Sequence, residues 1–131
     1  MNWVENSAEK ERGVLFPLET SAVETIEPLL KYPRPLPPPG SPAEIFLILK
    51  SNAERRIEGW LGLTPPRGWK IAPGRQLMIA IRALGTISAE FYLFLPPQLL
   101  SSPQLLRIKI HEKKNLLMES SFDLGKMVES H

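Results

Sequence analysis

Residues 43–83 hold three runs in which apolar side chains recur at every second position, and each run ends in residues that turn or break a chain. Residues 43–50 set Ile45, Leu47 and Leu49 against Glu44, Phe46 and Ile48. A polar turn follows at 51–54, where Asn52 tolerates left-handed φ and Ser51 can bond local backbone. In residues 55–63, Ile57, Gly59, Leu61 and Leu63 share one face, and Arg56, Glu58 and Trp60 the other. Residues 65–69 make a corner. Ala72-Pro73-Gly74 suits a tight turn with Gly74 at the positive-φ position. The run 75–83 then presents Leu77, Ile79, Ile81 and Ala83 inward. A period of two over such lengths fits β-strands and not helices. Three strands in succession oblige the rest of the chain to complete their sheets.

The remaining segments read the same way. Residues 87–95, 106–111 and 116–124 are further strands, the last two joined by the polar hairpin turn Glu112-Lys113-Lys114-Asn115. Val14-Leu15-Phe16, cut by Pro17, suits a short edge strand. For residues 21–32, capping-box spacing at Ser21 and Glu24 favours a helix, but Pro28 lies inside its apolar face, so a broken edge strand is preferred. The 14 prolines, about twice the usual share of ~5%, also favour extended segments and stiff turns. The expected fold is all-β: an immunoglobulin-like or fibronectin type III-like antiparallel sandwich of seven or eight strands, with a closed barrel as the alternative. At 131 residues it is one domain, spanning 14–124, between a polar tail at 1–13 and a second tail at 125–131.

The charge balance excludes several classes. Sixteen basic against 14 acidic residues give a net charge of +2, too weak a field for nucleic acid or an anionic membrane. There is no cysteine, which removes disulfides, thiolate nucleophiles and cysteine-ligated metals. The first 12 residues lack the apolar centre of a secretory signal, and no apolar run approaches the ~18 residues of a membrane-spanning helix. The expectation is a soluble chain, cytoplasmic by default.

Taken together, the Pro39-Gly40 turn, the aliphatic strand ending in Ser51-Asn52, the corner Pro66-Arg67-Gly68-Trp69 and the strand closed by Leu95-Pro96-Pro97 resemble a known family. Residues 36–111 are similar to the immunoglobulin-like modules associated with bacterial α-galactosidases and some LmbE-like deacetylases. The resemblance implies a non-catalytic accessory domain that positions or presents a neighbour. It carries over no catalytic residue, only the structural Pro66, Gly68 and Trp69. At 77–79 the family's polar, Thr-rich strand is replaced by Leu77-Met78-Ile79.

Equipment for catalysis is sparse. A hydrolytic triad needs a histidine base with an orienting acid. Of the two histidines, His131 is terminal and His111 reads as solvated on a polar strand face. Carboxylates for glycoside chemistry could come from Glu44, Glu54, Glu58 and Glu90, all at outward or turn positions. The reading is therefore not an enzyme, with no cofactor and no metal. Trp60 and Trp69, near Arg55, Arg56, Arg67, Lys70, Arg75 and Arg82, could stack bases, but interleaved Glu54, Glu58 and Glu90 argue against it.

The primary expectation is a protein partner or neighbouring domain, with a second copy of the chain as one form, because residues 43–50 and 87–95 are apolar on both faces. Two alternatives stand beside it. Trp60 or Trp69 could stack on a carbohydrate. Residues 33–39, with Arg34 and Leu36, could offer a polyproline II ligand to a proline-binding domain.

Overall fold

A computed structural model describes residues 13–18, 20–22, 26–97 and 103–129. Expectations about residues 1–12 lie outside them. The described residues form ten strands in chain order: β1 (Gly13–Pro17), β2 (Thr20–Ala22), β3 (Ile26–Pro33), β4 (Pro42–Ser51), β5 (Ile57–Thr64), β6 (Lys70–Ala72), β7 (Gln76–Ile81), β8 (Thr86–Phe94), β9 (Leu105–Glu112) and β10 (Asn115–Asp123). A short helix, α1 (Gly125–Glu129), follows. The strands form two five-stranded antiparallel sheets. Sheet A has the order β1-β3-β4-β8-β6 and sheet B the order β2-β10-β9-β5-β7.

One core lies between the sheets. Sheet A contributes Leu30, Ile45, Leu47, Leu49, Phe91 and Leu93, all wholly buried. Sheet B answers with Ile57, Leu61, Ile81, Leu106, Ile108 and Ile110. Each such side chain contributes about 1.5–3 kcal/mol on leaving water, so the period-two pattern fixes which face each strand turns inward. β4 is central, between β3 and β8, as its two-sided apolar character requires.

Pro66-Arg67-Gly68-Trp69 is the expected corner. Trp69 N donates to Pro66 O at 3.2 Å, and Gly68 has φ +90°, open to a residue without a Cβ. Ser51 Oγ accepts from Ala53 N at 3.1 Å, closing the 51–54 turn.

Three local expectations are corrected. Gly74 is not at positive φ, and Ala72-Pro73-Gly74 is not a hairpin turn: it carries the chain from β6 in sheet A to β7 in sheet B. Ala83 is exposed, because β7 ends at Ile81 and the chain turns through Leu84 at φ 56°. Residues 125–129, read as part of a tail, form α1, and Met127 is wholly buried there. Gln104, which carried no signal, is buried. The excess over seven or eight strands comes from β2 and β6, three residues each and too short to show a period.

Candidate functional site

The two tryptophans have opposite fates. Trp69 is 4% exposed, and its indole Nε1 donates to Gln104 Oε1 at 3.1 Å inside the core. It holds the fold and presents nothing to a ligand. Trp60 alternates outward on β5 and is 45% exposed. The sheet B register sets Met78 of β7 and His111 of β9 on either side of Trp60, with Leu116 of β10 beyond His111. Met78, Trp60, His111 and Leu116 thus form one row across four strands on the outer face. Met78 is the most open of them, at 74%.

Beside this row is a depression of about 590 Å³. Trp60, Met78 and Ala80 give it apolar walls, and Arg56, Glu58 and Lys113 form a charged rim. Arg56 Nε donates to Glu58 Oε2 at 2.6 Å, an exposed pair that fixes side-chain orientation more than stability. Met78 and Lys113 were not singled out from sequence. Met78 stands out of phase with buried Ile79 and Ile81, and that phase was its available signal.

Glu112, at the end of β9, braces this face. Arg55 donates from Nη1 and Nη2 to its two carboxylate oxygens, at 3.2 and 2.9 Å, and Glu58 N donates to Oε2 at 3.1 Å. The Arg55 hydrogen bonds, then the Glu58 amide, hold this carboxyl below the usual carboxylate range. A group whose folded pKa is depressed stabilises the fold above its unfolded value and loses that contribution as pH falls through the folded value. Glu112→Gln is therefore expected to lower Tm by about 3–5 °C at pH 7, with the gap closing toward pH 3. Thermal melts across that range check it; a gap that widens on acidification would contradict the assignment.

The outer face of sheet A carries a second group. Tyr92 OH donates to Glu90 Oε2 at 3.0 Å, and the hydrogen bond that the protonated carboxyl of Glu44, on the neighbouring strand, gives to Glu90 raises the Glu44 pKa. These carboxyls are at the surface, where screening keeps the effect small. Leu15 is 51% exposed at the edge of this face, and Phe46 and Ile48 are half-buried. Among the described residues, no group of three or more His, Asp or Glu side chains is placed to hold a metal ion.

The proline segment is split by packing. Arg34 is exposed, but Leu36 is half-buried against the core, so the two do not form one open ligand edge. Among the described residues, no helix is long and apolar enough to cross a membrane. Compared with known proteins, the chain matches no family model and no curated protein.

Proposed function

We propose that this chain is a non-catalytic accessory module, an immunoglobulin-type β-sandwich that binds or positions a partner protein or neighbouring domain through the outer face of sheet B. The observation that carries the reading is the exposed Trp60 and Met78 pair inside a charged rim. Aromatic, Met and Arg side chains around an apolar centre, with a polar margin, compose protein interfaces and their energetic centres. Strand order supports the immunoglobulin type. β3-β4-β8-β6 follows the A-B-E-D order and β10-β9-β5 the G-F-C order, with β7 added beside the C position. The likeness to modules attached to α-galactosidases and LmbE-like deacetylases suggests a catalytic domain as the neighbour.

A second reading, carbohydrate stacking on Trp60, draws on the same exposed ring over the depression. One experiment separates them. A photoreactive amino acid is placed at Met78, and at Arg107 on the same face of β9 as a control. The accessory reading expects one discrete protein adduct from position 78 and none from 107. Equal labelling from both, or a fluorescence shift with neutral oligosaccharide that is lost in Trp60→Phe, would overturn it.

A further inference from the structure

β7 forms one edge of sheet B, and it is an unguarded one. Edge strands are usually blunted by charge, proline, a bulge or brevity. β1 ends in Pro17, β2 has three residues, and β6 has three residues with Pro73 next in sequence. β7 is Gln-Leu-Met-Ile-Ala-Ile, six residues with neither charge nor proline.

Its free hydrogen-bonding groups can be assigned. Leu63 N donates to Arg75 O at 2.8 Å, in phase with the β5–β7 register. Bonded and non-bonded pairs alternate along an antiparallel ladder. Arg75, Leu77, Ile79 and Ile81 therefore face β5 with their backbone groups, while Gln76, Met78 and Ala80 turn theirs to the open edge. Those three residues are also exposed, and among the described residues no strand pairs with this edge.

The ends of the edge are charged alike. Arg75 precedes β7 and Arg82 follows it, both exposed and neither in an ion pair among the described residues. This pattern selects the occupant. Opposite residues of an antiparallel ladder share one bonding phase, so a second copy would set Met78 opposite Met78, Gln76 opposite Ala80 and Arg82 opposite Gly74, and residues 72–85 offer no carboxylate to either arginine, whereas a segment with acidic ends pairs both.

We infer that the β7 edge accepts an extended segment of a partner polypeptide, apolar in its middle and acidic at both ends, as a sixth strand of sheet B. This rests on reading the Trp60 face as a protein interface. The added strand would bond to Gln76, Met78 and Ala80. A bulky side chain beside Met78 could lean over β7 toward the depression next to Trp60, within the diagonal reach of neighbouring strands.

The test uses the full chain and the peptide Glu-Val-Thr-Leu-Val-Thr-Val-Glu, with a control in which both Glu are Lys. Binding is followed by amide chemical shifts and hydrogen exchange. The expected result is slowed exchange at Gln76, Met78 and Ala80, with the acidic peptide bound about tenfold more tightly than the lysine peptide, for two ion pairs near 0.7 kcal/mol each. Met78→Pro removes an edge N–H that β5 does not use, and it should abolish binding. Should that variant fail to fold, Met78→Lys places charge at the same point and should weaken binding at least tenfold.

Equal affinity for both peptides, or no protection at millimolar peptide, would overturn the inference. So would protection in the free chain, whether it grows with concentration (a second copy) or does not (residues 1–12 on the edge). Adducts from position 78 alongside a silent β7 edge would sink this inference and leave the accessory reading standing.

Discussion

Gly59→Ala is expected to destabilise the fold by at least about 3 kcal/mol, lowering Tm by roughly 10 °C or leaving the protein unfolded. Gly59 lies in β5 where that strand presses on the end of β9. A Cβ there would overlap the His111 carbonyl oxygen, standing 3.0 Å from the carbonyl carbon and 3.2 Å from Glu112 Cα. These are backbone atoms, so no side chain can swing aside, and relief requires β5 and β9 to separate. The movement would disturb Trp60 and Glu112, which both stand at this crossing. Gly62 is the internal control. A Cβ there meets only Lys109 O, at 3.8 Å, an ordinary contact. Gly62→Ala should stay within about 1 kcal/mol of the parent, because its lower unfolded-state entropy offsets small losses. Urea unfolding of both variants decides it. A Gly59→Ala midpoint indistinguishable from that of Gly62→Ala would show that the close approach is not a constraint.

Trp69→Ala is expected to cost about 3–5 kcal/mol, the usual range for emptying a buried indole site. Trp69→Phe retains most of the packing but takes the N–H from Gln104 Oε1, and should cost about 1–3 kcal/mol. Trp60→Ala, on the open face, should lie within about 1 kcal/mol of the parent. The ordering Trp69→Ala, Trp69→Phe, Trp60→Ala separates a ring that closes the sandwich from one that faces outward. Equal effects of Trp69→Ala and Trp60→Ala would contradict the burial assigned to the two rings.

Much of the fold was legible because a strand advertises its faces. Ile45, Leu47 and Leu49 announce one inward edge, and Arg107, Lys109 and His111 one outward edge, before any neighbour is known. Neighbours are what the period does not report. Ala72-Pro73-Gly74 carries turn chemistry that serves a hairpin and a sheet-to-sheet crossing equally, and the chain uses the crossing. Gly59 reads as one glycine among several until β9 is laid against it. Trp60 was legible as outward from its place opposite Ile57 and Leu61. Met78 was not singled out, because its surroundings are apolar and only its phase betrays it. Trp69 was legible as a structural corner residue and also as a stacking platform, while the partner that decides for the first, Gln104, lies 35 residues away with no local signal. α1 escaped because five residues hold too little pattern to read as a helix.

Every connection from β4 through β9 leaves one sheet for the other, so β4 finds its second neighbour late. Lys50 waits for Thr86 and Pro42 for Phe94, a separation on the order of forty residues. At the usual 5–20 residues per second, a ribosome needs about 2–8 s to supply that length. Until then Ile45-Phe46-Leu47-Ile48-Leu49 has β3 on one side and an open ladder on the other. The strand that centres the finished sheet is thus the nascent chain's most adhesive segment, and synthesis rate becomes a variable in whether the molecule is made well.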